Sequence, residues 1–305
     1  MIDILGVPHA YELTPPPSES DNPVLIFIHG WLLSRNYWKP LIEQLSPDYQ
    51  CLVYDLRGFG DSQPEETGDR HQNFRSTPQL DKLDQRETNG CANYSLAAYA
   101  KDLSILLERL AIEKAWLIGH SLGGSIALWG ADYCAQRVKG AICLNSGGGI
   151  YIKEEFERFR AAGQQLIQQR PRWLSVVPLI DLLFARIMVA RPLTRHWGRQ
   201  RLIDFIRADA KAAIGSLLDS TTEEEVHLLP QLVARLPQPV YFIAGDRDRI
   251  METKYVRHLA SFHQLFATNG GNVIEIPDCG HLSMIEQPEV VGSKIAKILM
   301  KHCSK

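Results

Sequence analysis

The sequence predicts an α/β protein built on a mostly parallel sheet, and three observations carry that prediction. Short, almost wholly apolar runs recur along the chain. Stretches with helical periodicity separate them, and Gly-rich or polar turns close them. Runs this apolar suit strands covered by helices on both faces, as in a parallel sheet.

In chain order, residues 24–29 (VLIFIH) read as the first buried strand. Residues 51–54, 116–118, 140–144, 240–244 and 273–276 repeat the pattern. Helical periodicity marks residues 96–110, 124–135, 253–266 and 288–300. Two stretches break the alternation. Residues 62–93 hold only Phe74, Leu80, Leu83, Cys91 and Ala92 as apolar residues, too few to offset their ordering entropy, so they read as a long surface loop. Residues 147–236 show no strand run and read as entirely helical. The expected organisation is therefore a core of residues 1–146 and 237–305, with a helical cap or lid of residues 147–236 inserted between core strands.

Composition bounds the function. The chain has 305 residues, 45% hydrophobic and 22% charged, which is ordinary globular usage with room for a large core. A formal charge of −2 excludes a protein that coats nucleic acid. Cys51, Cys91, Cys134, Cys143, Cys279 and Cys303 form no C-x-x-C pair, which reads as reduced, buried thiols. The first residues have neither a basic start nor an apolar h-region, so the expectation is no signal peptide and a cytoplasmic protein. There is no P-loop, no G-x-G-x-x-G after a strand and no H-E-x-x-H pair, so neither cofactor nor metal is expected. Gly147, Gly148 and Gly149 read as a hinge into the cap.

Chemistry concentrates at Gly119-His120-Ser121-Leu122-Gly123-Gly124. This G-x-S-x-G follows one predicted strand and opens a helix, the context a nucleophile elbow requires. The turn is so tight that residues two before and two after the serine must be small, as Gly119 and Gly123 are. A serine hydroxyl needs a base. His281 follows the last strand and precedes the last helix, which brings it to the sheet edge where Ser121 stands. The base needs a carboxylate to hold its tautomer. Strand 240–244 leads into Gly245-Asp246-Arg247-Asp248; Asp248 is favoured because the turn carries it toward the histidine loop, and Asp246 remains the rival. Asn145, at the end of another strand, cannot supply a charge. The Leu122 N–H is the first oxyanion donor and the Trp31 N–H the second, with Gly30 letting backbone approach a ligand. Gly30 and His120 are candidate substrate contacts.

On these residues the chain resembles the α/β-hydrolase fold superfamily over nearly its whole length. The matching segments are His29-Gly30-Trp31, residues 55–62 (DLRGFGDS), the serine elbow, the Asp248 turn and the His281 loop, in the superfamily's order Ser…Asp…His. The resemblance implies an α/β-hydrolase core with a cap, with Asp55 and Arg57 bracing loops and Gly58 and Gly60 allowing a bend. It implies a cofactor-independent serine hydrolase that cleaves an ester or thioester through an acyl-enzyme on Ser121. The alternative it leaves is a C–C bond hydrolase or a menaquinone-pathway-type synthase using the same triad on a carboxylated substrate. Dehalogenases and epoxide hydrolases of this fold use an aspartate where Ser121 stands, and are disfavoured. A non-enzymatic binding module is disfavoured by the complete triad.

The cap adds a partner class. Residues 173–190 (WLSVVPLIDLLFARIMVA) carry only Asp181 and Arg186 as charges, and Pro178 interrupts them, so they do not read as a membrane span. They read either as a surface packed on the core or as an apolar lid over a greasy acyl group. Arg186, Arg191, Arg195, Arg199, Arg201 and Arg207 then face only Asp204. That excess fits a solvated helix face, an anionic head group or carboxylated substrate, or transient contact with an anionic membrane surface. The expected partners are a small-molecule or lipid-like ester and no nucleic acid.

Overall fold

All six apolar runs form strands. A computed structural model describes residues 1–18, 22–64, 93–148, 153–267 and 271–303. The expected loop 62–93 lies almost wholly outside these residues, as do Cys91 and Gly149. The strands are β1 (Ile2–Ile4), β2 (Val7–His9), β3 (Tyr11–Leu13), β4 (Val24–Ile28) and β5 (Cys51–Tyr54). They continue with β6 (Ala115–His120), β7 (Val138–Leu144), β8 (Val240–Gly245) and β9 (Val273–Ile276). The main sheet has the order β3-β5-β4-β6-β7-β8-β9, parallel except for β3. Strands β1 and β2 pair antiparallel in a separate hairpin. The three N-terminal strands are the ones the apolar-run criterion passes over. Each has three residues and none is wholly buried.

The period-2 side-chain alternation of a strand divides the core in two. Leu25 and Phe27 of β4 join the layer of α1 (Lys39–Leu45) with Trp38 and Leu41. Ile26 and Ile28 face the opposite layer, with Tyr99 and Leu103 of α2 (Leu96–Arg109) and Ile126 of α3 (Leu122–Tyr133). Helix α3 starts two residues before the expected point, because the serine turn is itself the helix start.

The inserted stretch holds α4 (Lys153–Gln168), α5 (Ile180–Phe184), α6 (Arg195–Arg207), α7 (Ala210–Ser220) and α8 (Glu223–Arg235). Among the described residues it contains no strand. Helix α8 departs from the expected division at 236/237. It packs against α3 and against α9 (Thr253–Ala260), and Leu229, Leu232 and Val233 join the sheet-side core. Its amphipathic face is thus spent on the sheet layer, and Ala212 and Ala213 of α7 and Phe205 of α6 join the same core. Helix α9 is also shorter than the periodicity suggests, ending at Ala260 before a 3-10 turn at Gln264–Ala267. Two helices complete the chain: α10 (Ser283–Glu286) and α11 (Pro288–Cys303), the latter packed on α1.

Phe27 is fully buried in the middle of the sheet. Phe27→Ala should lower unfolding stability by about 3–5 kcal/mol, measured as a shift in denaturant midpoint at unchanged slope.

Candidate active site

Ser121 stands between β6 and α3 with φ 53° and ψ −117°, a backbone region that costs about 1–3 kcal/mol. Close packing on each side imposes it. A Cβ on Gly119 would lie 2.0 Å from the Gly123 carbonyl oxygen, and one on Gly123 would lie 2.2 Å from that of Ile28. The Ser121 N–H donates to the Leu144 carbonyl at 2.9 Å.

Two peptide planes are pinned beside the serine. The Ser121 carbonyl accepts from the Gly124 N–H at 2.9 Å, which fixes the plane carrying the Leu122 N–H. The Gly30 carbonyl accepts from His29 Nδ1 at 2.8 Å, while His29 Nε2 accepts from the Leu56 N–H at 2.9 Å. These bonds fix the His29 tautomer and orient the plane carrying the Trp31 N–H. Burial holds the His29 pKa low, so its ring stays neutral in this role. Asp55 braces the same region by accepting from the Arg35 and Asp61 N–H groups at 2.6 and 2.8 Å.

His281 Nδ1 donates to Asp248 Oδ2 at 2.8 Å, and both side chains are buried. Asp248 also accepts from Asn145 Nδ2 at 2.9 Å and from the N–H groups of Ile250 and Met251 at 2.8 and 2.9 Å. Burial pushes the Asp248 pKa up, but His281, the Met251 N–H and Asn145 outweigh it and hold the carboxyl below the ordinary aspartate range. Asp246 instead accepts from the Cys279 N–H at 3.3 Å, so it braces the histidine loop and leaves His281 to Asp248. Asn145 donates to the Gly280 carbonyl at 3.0 Å and accepts from Ser283 Oγ at 2.6 Å. It supplies hydrogen bonds where it cannot supply charge.

The His281 backbone is clamped from two sides. Glu286 accepts from Gly280 and Leu282, the residues flanking His281, each at 3.1 Å. The same carboxylate accepts from Ala190 of the inserted stretch at 2.8 Å. The His281 N–H donates to the Met188 carbonyl at 2.9 Å. Glu286 has no role in the sequence reading, and His29 enters it only as part of the segment His29-Gly30-Trp31. Their signals are the Glu five residues after the histidine and the His that ends the first apolar run.

Trp31, His120, Ser121, Leu122 and His281 line one cavity of about 700 Å³, with Asp248 behind the histidine. Gly30 is not among the lining residues. A Cβ there would lie 2.7 Å from His120 Nδ1, so its smallness serves the packing of His120. His120 Nε2 bonds the His281 carbonyl at 2.7 Å. Burial and the neighbouring His281 push His120 down to about 3, so it stays neutral beside the candidate base. The cavity walls are apolar, including Phe159 and Leu166 of α4, Phe184 of α5, Phe205 of α6 and Met251. Among the described residues, Arg201 is the one lysine, arginine or acidic side chain in the lining. It is 7% exposed and its Nη1 donates to the carbonyls of Phe184 and Ile187. Among the described residues no group of three or more His, Cys, Asp and Glu could hold a metal ion.

The family model for the alpha/beta hydrolase fold matches residues 23–288. Among curated proteins, two similar ones are named 2-succinyl-6-hydroxy-2,4-cyclohexadiene-1-carboxylate synthase. The protein of Serratia proteamaculans (strain 568) is 23% identical over 282 residues, 92% of this chain and 95% of the relative. That of Yersinia pseudotuberculosis (serotype O:1b, strain IP 31758) is 31% identical over 237 residues, 76% of this chain and 75% of the relative. Among solved structures, a thermophilic esterase from Thermogutta terrifontis has a TM-score of 0.70 at 22% identity, covering 97% of this chain and 94% of its own. The enol-lactonase from Burkholderia xenovorans LB400 has a TM-score of 0.70 at 18% identity, covering 97% and 98%. At these identities the structural likeness is one of fold.

Two outcomes follow from the clamp and the buried carboxylate. Because the folded Asp248 pKa is depressed, its stabilisation is complete above the unfolded value of about 3.9 and is lost as pH falls through the folded value. Asp248→Asn should therefore cost ~1–3 kcal/mol at neutral pH, with the gap to the parent narrowing as denaturation is followed into acid. Glu286→Ala should speed amide hydrogen exchange at residues 190, 280 and 282 by about tenfold or more. Unchanged exchange there would show that the loop is held by other contacts.

Proposed function

Since the chain belongs to the alpha/beta hydrolase fold family, we propose that it is a serine hydrolase cleaving a hydrophobic carboxylic ester or thioester, without a cofactor. One observation carries the reading: the cavity above Ser121 and His281 is walled mainly by apolar side chains, and the one arginine among its described lining residues is bonded to backbone carbonyls. Such walls gain from burying an acyl chain, by about 0.8 kcal/mol per methylene.

In this reading His281 takes the Ser121 proton as the hydroxyl attacks the ester carbonyl. The oxyanion is held by the Trp31 and Leu122 N–H groups, whose peptide planes are pinned. His281 then protonates the leaving group and activates water against the acyl-enzyme, while Asp248 holds its tautomer and stabilises the imidazolium. Asn145 and Glu286 are positioning residues, acting through Asp248 and the histidine loop.

The second reading is the chemistry named in the curated relatives, whose product name carries a ring carboxylate and a succinyl group. The relatives' identity favours it. Against it, two carboxylates would have to be bound by walls whose one arginine, among the described residues, already serves Phe184 and Ile187.

A fluorophosphonate probe should label the parent chain and leave Ser121→Ala unlabelled; persistent labelling would move the nucleophile elsewhere. On p-nitrophenyl esters, kcat/KM should rise by up to about fourfold per added methylene until the cavity is filled. Active-site labelling with no turnover of any ester in the series would favour the synthase reading.

A further inference from the structure

The cap turns an apolar face outward where the catalytic cavity opens. Trp173, Val176 and Leu179 are 64%, 76% and 59% exposed. Leu183, Ile187 and Met188 line the catalytic cavity and yet are more than a third exposed, so cavity wall and outer surface share these side chains. Exposed apolar residues in such a group mark a contact surface more often than chance.

A groove of about 660 Å³ lies beside this face. Val176, Leu179 and Ile180 bound it on the apolar side, and Arg195, His196 and Arg199 on the polar side. Ile180 lines both the groove and the catalytic cavity. Asp181, the acid of the groove, is ion-paired to Arg195 at 2.5 Å. Arg186 and Arg199 are exposed and have no carboxylate partner among the described residues. Of the five arginines in residues 173–203, Arg191 and Arg195 are ion-paired and Arg201 is buried, which leaves Arg186 and Arg199. Apolar side chains next to unpaired guanidinium groups match a surface that offers acyl chains below anionic head groups. No helix among the described residues is long and apolar enough to cross a membrane, so contact here would be with one leaflet.

We propose that this face of the cap docks on an anionic phospholipid bilayer. Trp173, Val176 and Leu179 enter the head-group region, and Arg199, beside them in the groove, meets lipid phosphates. Leu183, Ile187 and Met188 then form a continuous apolar path from the leaflet to Ser121. The path's use for substrate rests on the hydrophobic-ester reading; the docking itself does not.

The test uses the full chain as Ser121→Ala, so that no lipid is consumed, in flotation with vesicles of phosphatidylcholine alone and of phosphatidylcholine mixed with phosphatidylglycerol. The protein should float with the anionic vesicles at low salt, be released as salt rises, and stay behind with phosphatidylcholine alone. Arg199→Gln should weaken the partition about fivefold. Val176→Asp with Leu179→Asp should abolish it. In an otherwise native chain, the same variants should keep the parent's rate on a short water-soluble ester, which shows them folded. Absence of flotation with anionic vesicles, or flotation indifferent to the Asp variants, would overturn the proposal. So would a concentration-dependent dimer that these variants dissolve, since a second copy would then cover the face. Flotation with no hydrolysis of any ester would sink the hydrolase reading and leave the docking standing. Hydrolysis without flotation would do the reverse.

Discussion

Everything at the site depends on how closely α3 approaches β4 and β6. The helix start is pressed so near these strands that two positions admit no side chain atom, and only Gly119 and Gly123 satisfy the constraint. The approach sets the strained conformation at Ser121, and the Ser121–Leu144 hydrogen bond holds the turn to β7. Positive φ angles recur nearby at Leu32, Asn145, Met188 and Asp278. Non-glycine residues adopt such angles only where their surroundings over-determine them. For Leu32, Asn145 and Asp278 the surroundings are the strand ends of the sheet, and Met188 lies in the inserted stretch, bonded to the His281 loop.

A second level of order lies in the carboxylates. Asp248 and Glu286 each gather several donors, but to different ends. Asp248 bonds the imidazole and so can fix its chemistry, whereas Glu286 bonds only backbone and so fixes where the loop runs. His29 does for the Trp31 amide what Glu286 does for the histidine loop. A hydrogen bond to a peptide carbonyl fixes the amide on the other side of the same planar unit.

The sheet, the serine elbow and the pairing of His281 with Asp248 were legible in the sequence because each rests on local chemistry. A buried strand needs an unbroken apolar run, a tight turn needs glycine, and strand ends on one sheet edge bring their loops together. What escaped the sequence rests on long-range contacts. Strands β1 to β3 are too short and too exposed to show a period, and β3 is set by its pairing with β5. Helix α8 looks like part of an all-helical insertion until its partners α3 and α9 are known. The Arg-rich stretch read as one cationic block, yet folding separates it. Arg201 goes inward to backbone carbonyls and Arg207 pairs with Asp61, while Arg199 stays at the surface. Charge counted along a chain does not say which charges share a surface.

The strap at Met188 and Ala190 joins the inserted helices to the loop that carries His281. The hydrogen bonds make the inserted helices and the His281 loop a single mechanical unit along that edge. Replacing those helices would therefore reset the histidine loop along with a cavity wall. Divergence of specificity in such a scaffold is channelled toward the helices away from the strap, where side chains can change without disturbing the base.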